Sequence, residues 1–337
     1  MCLSAKTARY LLLRRYSLLT VDVDDEEKTW WRSPLLRTSL AGLTLQNPVL
    51  AASGTFGYGI EYGGLVDVTK LGGICTKGVS IDPWPGNRPP RLAETPAGML
   101  NAIGLQNPGA AAFAEDYLSW LAEQTPAVVV NIVGRTIEEY SAVAAFLDRK
   151  AGIDALEINI SCPNIKKGGL SFGTDPQAAA AVVKAVRRVT SLPLIAKLTP
   201  NVTDITQIAC AVEAAGADAV SLINTITGMI IDVNRRRPLL ANVFGGLSGP
   251  AIMPVALRMV WQVYEAVKIP IIGMGGITSA HDALQFIMAG ARAVAVGSAT
   301  FRRPDTMVEV VRGLYDYCRE QRTSIAALVG VAHGGAH

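Results

Sequence analysis

The residues best equipped for chemistry in this 337-residue sequence stand together at Asn159-Ile160-Ser161-Cys162-Pro163-Asn164, where one thiol lies between two carboxamides directly after the run 155–158. A thiol is a weak base near its ordinary pKa of about 8.5, so proton removal by Cys162 requires neighbouring donors or cations that favour the thiolate. Asn159 and Asn164 can donate or accept hydrogen bonds without adding charge. A plainer reading makes Cys162 a small buried hydrophobe and leaves Asn159, Pro163 and Asn164 to close a turn. What else converges on the same place decides between them.

Two lysines, Lys77 and Lys197, each end a short apolar run. A cation there could stabilise negative charge developing at the N1 and O2 atoms of a reduced flavin. The alternative is that each lysine snorkels to a rim or pairs with a carboxylate. Further along, Gly273-Met274-Gly275-Gly276 and Gly297-Ser298 each lead towards a helix. Glycines let backbone N–H groups approach an anion, and a helix start adds favourable partial charge, so this pair suits a phosphate.

The elements that must hold these groups are visible as apolar or β-branched runs at 48–52, 73–77, 128–133, 155–160, 194–198, 219–223, 271–273 and 293–296. Their nearly continuous apolar character predicts strands buried on both faces of a parallel sheet. Segments with helical spacing, 136–150, 176–190, 204–215, 252–267 and 279–288, lie between them. Eight strand-and-helix units in a chain of this size predict an α/β fold, a (β/α)₈ TIM barrel with its active face at the carboxyl ends of the strands. The connections 80–126, 161–176 and 225–250 all follow strand ends and are too long for simple loops, so they are expected to be functional insertions at that face. Residues 1–37 are expected to form a flexible N-terminal extension, 38–322 the barrel and 323–337 a C-terminal tail.

Read at the strand ends, the inventory is Ser53 and Gly54, Lys77, Asn131, Asn159 with Cys162, Lys197, Asn224 with Thr225, Gly275 with Gly276, and Gly297 with Ser298. Amides, glycines and lysines dominate it, whereas core packing alone would place small apolar residues there.

Composition narrows the partners. With 50% hydrophobic residues the chain has enough apolar material for one large core. A net charge of +3 without a basic block argues against nucleic acid. The five cysteines are scattered and form no C-x-x-C pair, which argues against a zinc or iron–sulfur site in this chain and suits a reducing cytoplasm. No apolar run approaches the length of about 18 residues needed to cross a bilayer.

From about residue 39 to about residue 317 the sequence resembles the dihydroorotate dehydrogenases, and among them the class 1B catalytic subunits. The most specific pieces are Asn159-Ile-Ser-Cys-Pro-Asn164, Asn101-Ala-Ile-Gly-Leu-Gln-Asn107, Ile223-Asn-Thr225, Gly245-Gly-Leu-Ser-Gly-Pro250 and Gly273-Met-Gly-Gly276, in the family's order. The resemblance implies an FMN-bearing barrel that oxidises (S)-dihydroorotate to orotate in pyrimidine (UMP) biosynthesis. Cys162 would be the base that removes the C5 proton while hydride leaves C6 for flavin N5. Lys77, Asn101, Ala102, Ile103, Gly104, Leu105, Asn159, Asn164, Asn224 and Thr225 would hold the substrate. Ser53, Lys77, Gly78, Asn131, Asn159, Lys197, Ile223, Gly249, Gly275, Gly276, Gly297 and Ser298 would contact FMN, and no metal is implied. Orotate is a flat, amide-rich carboxylate, so a neutral asparagine collar with Lys77 matches it.

The class 1B resemblance also implies a homodimer of this chain joined to a second subunit carrying FAD and a [2Fe–2S] cluster, which passes electrons to NAD⁺. Competing readings are a dihydropyrimidine dehydrogenase-like flavoenzyme, a class 1A enzyme using fumarate, and a phosphate-binding barrel without redox work. The sequence departs from the family pattern at Gly78, where threonine or alanine is more usual, at Ser298, where threonine is common, and in the N-terminal extension.

Overall fold

The computed structural model describes residues 28–124, 126–161 and 171–334. Eight parallel strands close into a barrel: β1 (Val49–Ala51), β2 (Gly73–Cys75), β3 (Ala127–Ile132), β4 (Ala155–Asn159), β5 (Leu194–Lys197), β6 (Ala219–Leu222), β7 (Ile271–Met274) and β8 (Ala293–Val296). Each pairs with its neighbours in sequence, and β8 closes on β1. All eight expected runs are therefore strands. Their sequences look continuously apolar because both faces are covered: Val128, Val130 and Ile132 pack outward with the helices, while Val129 points into the barrel with Leu50, Cys75, Ala155 and Ile195.

The five expected helices are present as α1 (Ile137–Leu147), α2 (Pro176–Arg187), α3 (Ile205–Ala214), α4 (Met253–Ala266) and α5 (Ala280–Met288), and α6 (Thr306–Glu320) follows β8. Their starts are written in the sequence. Asp175 Oδ1 accepts from the Ala178 amide at 2.6 Å, with Pro176 as the first helical residue, and Ser279 and Asp282 form a reciprocal capping box. The first two units are less regular than eight equal repeats would require. β1 is followed only by the short 3₁₀ turns Ile60–Tyr62 and Val68–Lys70, and β2 by the first insertion and the short helices Ala110–Asp116 and Leu118–Ala122.

Two additions position the site. At the amino end, an antiparallel hairpin of Thr38–Leu40 with Leu43–Leu45 sends Leu40 and Leu45 into the cluster formed by the barrel's inward residues. Thr38 Oγ1 donates to the Arg292 carbonyl at 3.0 Å, just before β8, and pins the hairpin across the barrel floor. At the carboxyl end, two of the long insertions join in one four-stranded sheet. Strands Leu92–Thr95 and Gly98–Asn101 of the first pair with Gly245–Ser248 and Ile226–Gly228 of the third. Among the described residues no helix is long and apolar enough to cross a membrane.

Candidate active site

Side chains alternate along a strand, so the residue two places before each mouth residue points into the same interior. That alternation builds a polar layer under the carboxyl end of the barrel. At its centre is Glu157 of β4, 1% exposed. Its Oε1 accepts from Asn131 Nδ2 at 2.6 Å and from Cys75 Sγ at 3.2 Å, and its Oε2 accepts from Ser221 Oγ at 2.7 Å. The Lys197 ammonium, 5% exposed, lies 3.5 Å from Oε1 and donates to Ser53 Oγ at 2.7 Å. Register explains the meeting, because Asn131 faces Glu157 across β3 and β4, and Lys197 faces Ser221 across β5 and β6.

The electrostatics follow from that enclosure. Burial pushes the Glu157 carboxyl up, but the Lys197 ammonium and the hydrogen bonds from Ser221, Cys75 and Asn131 outweigh it and hold the group below its ordinary value. Burial and the neighbouring carboxylate drive the Cys75 thiol well above its ordinary value, against an opposing pull from Lys197. Cys75 is thus a neutral donor in this layer, not a nucleophile. Because Nδ2 of Asn131 is taken by Glu157, its Oδ1 is the end left over, and it lies beside the Gly78 backbone, where an added Cβ would stand 3.0 Å from it.

Above this layer stands the collar. Asn224 Nδ2 donates to Asn159 Oδ1 at 3.3 Å and to Ser161 Oγ at 3.0 Å, while its own Oδ1 accepts from the Thr225 amide at 2.8 Å. Asn101 arrives from the first insertion and donates from Nδ2 to the Gly246 carbonyl at 3.3 Å. Gly246 packs so closely on Thr225 that a Cβ would stand 2.0 Å from its Oγ1, which ties Asn101 to the Asn224 and Thr225 pair. The segment 102–105 is held by the same insertion: Ala102 and Ile103 bond through their backbones to Arg91 and Asn87, and Gly104 and Leu105 turn with φ of 75° and 54°.

Lys77 differs from Lys197. It is half-buried, and among the described residues its ammonium has no hydrogen-bond or ion-pair partner. Burial lowers its pKa from the ordinary 10.5, reinforced by Arg91 and opposed by Glu61. It is a cation at the mouth that, among the described residues, makes no direct ion pair, with the Glu61 carboxylate acting on it from a distance.

On the opposite side a glycine ledge forms where β7 and the third insertion meet. Gly276 has φ of 80°, and a Cβ on it would stand 2.9 Å from the Gly249 carbonyl and 2.8 Å from Met253 Cβ, so only glycine fits. Gly275 lies against Ile223, whose amide donates to the Met274 carbonyl at 2.9 Å. Gly297 and Ser298 follow β8, with the Gly297 carbonyl accepting from both the amide and the hydroxyl of Thr300. Among the described residues the N–H groups of Gly275, Gly276 and Ser298 have no acceptor, which leaves donors for an anion at the ends of β7 and β8.

The fold therefore brings Ser53, Asn131 and Lys197 into one network, Asn159, Asn224, Thr225 and Asn101 into a second, and Gly249, Ile223, Gly275 and Gly276 into a third. Cys162 and Asn164 lie outside the described residues, between Ser161 and Ser171. Glu157, Ser221 and Cys75 belong to the centre of the site although sequence reading gave them no role. The signal was available, since a carboxylate inside the run 155–160 has to be paired if that run is a buried strand.

Comparison with known proteins places the chain in a family. The family model described as dihydroorotate dehydrogenase matches residues 35–317. A protein of Desulforudis audaxviator named dihydroorotate dehydrogenase B (NAD(+)), catalytic subunit, is 58% identical over 296 residues, covering 88% of this chain and 96% of the relative. Proteins of the same name from Geotalea daltonii and Desulforamulus reducens are each 56% identical, covering 88% of this chain and 98% of each relative. With a matching family model across most of its length and relatives this similar, the chain belongs to the dihydroorotate dehydrogenase family.

Proposed function

We propose that this chain is the catalytic subunit of an NAD⁺-type dihydroorotate dehydrogenase, oxidising (S)-dihydroorotate to orotate on FMN in the cytoplasm. The observation that carries the reading is near-full-length identity of 58% to a relative bearing that name, and the residues fit the chemistry. A flavin ring needs a cation at its N1 and O2 end, and Lys197, which donates to Ser53 and is ion-paired with Glu157, keeps an N–H for a ligand. Its N3–H needs an acceptor, and Asn131 has only Oδ1 left. The phosphate needs donors, and the Gly275, Gly276 and Ser298 amides supply them. Bound FMN would supply the hydride acceptor, and the protein's own groups would do the rest. Asn159 and Asn224, locked to each other, would present fixed donors and acceptors to the pyrimidine amides, and Asn101 would close the ring from the insertion sheet. Lys77 would meet the substrate carboxylate, and Cys162 would take the C5 proton.

In this reading electrons leave through a second subunit that carries FAD and a [2Fe–2S] cluster and reduces NAD⁺, and the catalytic chain itself is a homodimer. Robust NAD⁺ reduction by the isolated chain would contradict the two-subunit arrangement. The decisive experiment is a flavin absorbance spectrum of the purified chain before and after anaerobic dihydroorotate. A yellow protein that bleaches with dihydroorotate and not with dihydrouracil is the expected result; a colourless protein, or bleaching by dihydrouracil alone, overturns the assignment.

Lys77 adds a pH dependence. Its charged form is the one that attracts a carboxylate, so orotate affinity should fall as pH rises through its lowered pKa, beginning below the ordinary 10.5. Titrating orotate against the flavin spectrum between neutral and alkaline pH tests this, and affinity that stays flat until an unperturbed lysine would titrate speaks against Lys77 as the carboxylate's partner.

A further inference from the structure

We propose that Glu157 is a positioning residue that acts through Lys197 and Asn131, its negative charge moderating the lysine's pull on the flavin and so setting how readily the flavin is reduced. The inference rests on the FMN reading above and goes beyond it, because Glu157 need not itself touch the cofactor.

The geometry points to this role in three ways. Glu157 is a full charge inside a barrel whose lower layers are Leu50, Val129, Ala155 and Ile195. Packing alone does not call for a Glu157 and Lys197 pair there, since a buried ion pair contributes little net stability over two well-packed apolar residues of similar volume. Secondly, its four partners come from four other strands: Asn131 from β3, Cys75 from β2, Ser221 from β6 and Lys197 from β5. One group therefore fixes the two side chains, Lys197 and Asn131, that face the mouth. Thirdly, it fixes them in sense as well as in place. A carboxylate can only accept, so Asn131 must turn Nδ2 down and Oδ1 up, and the Lys197 ammonium is held between Glu157 and Ser53 rather than swinging to solvent.

The electrostatic consequence has a sign. Two-electron reduction leaves negative charge at the N1 and O2 end of a flavin, which a bare ammonium favours and a carboxylate behind it opposes. In a poorly hydrated interior, neutralising that carboxylate is worth at least about a factor of ten in the equilibrium. Glu157→Gln should therefore shift the bound flavin towards reduction by about tenfold, about 30 mV for a two-electron couple.

The test is equilibration of the purified FMN-bearing parent and the E157Q chain with a reference dye. Glu157→Asp, which keeps the charge but withdraws it along the side chain, should move the equilibrium in the same direction by less. If E157Q does not retain FMN, the Asp variant carries the test alone. A merely structural role predicts loss of FMN or of stability without a directed change in potential. An equilibrium in E157Q, or in the Asp variant where that stands alone, that equals the parent's or moves towards the oxidised flavin overturns the proposal. A parent without flavin overturns the FMN reading instead, so the two failures are told apart by the parent's colour.

Discussion

Cys162→Ala is expected to keep its flavin and to oxidise dihydroorotate about 10²–10⁴-fold more slowly, the range that a well-placed general base contributes. The substitution deletes one sulfur and leaves every group proposed to bind the cofactor in place. Flavin content should therefore match the parent's while the bleaching rate on mixing with anaerobic dihydroorotate collapses. A fall of that size corresponds to about 3–5 kcal/mol of lost transition-state stabilisation. Removing the base rather than a binding group should lower the maximal bleaching rate far more than it raises the dihydroorotate concentration needed for half of it. Parent-like bleaching in the purified variant would remove Cys162 from the mechanism and return it to the plainer reading of a small residue in a turn.

Lys197→Met should destabilise the protein by about 3–5 kcal/mol at neutral pH, the cost of leaving the other half of a buried ion pair uncompensated. Methionine fills the space of the stem, so little of the loss comes from packing. The effect has a pH signature. In the parent the Glu157 carboxyl is held below its ordinary value, so its contribution is present above the ordinary glutamate range and is lost as pH falls through the folded-state value. In the variant that contribution is gone, and the parent and variant unfolding midpoints should converge in acid. Chemical denaturation of the two chains at neutral and acid pH measures it. A gap that is small at neutral pH, or that widens in acid, would mean that the Glu157 and Lys197 contact carries little energy. Pairing Lys197→Met with Glu157→Leu should recover stability, because the buried charge then leaves together with its partner.

The barrel was legible because each of its strands is buried on both faces and so stands out as an apolar run bounded by glycine, proline or a polar end. The same habit of reading concealed Glu157. A run scored as apolar hides one carboxylate, and only the closed sheet reveals that Asn131, Cys75, Ser221 and Lys197 surround it. The mouth residues could be named from strand ends alone, since alternation and the fold fix where they point. Their linkage could not. Asn101 meets Gly246 across 145 residues, through short strands rich in glycine that show neither the period of a helix nor a clear alternation. The irregular first two units had the same cause: the turns after β1 and the helices behind the first insertion are too short to carry a helical period.

The hairpin of residues 38–45 gives the molecule a stopper as well as a floor. With Leu40 and Leu45 corking the amino end, the polar layer is approached, among the described residues, from the carboxyl ends of the strands. Incoming and outgoing small molecules would then share the carboxyl end of the barrel.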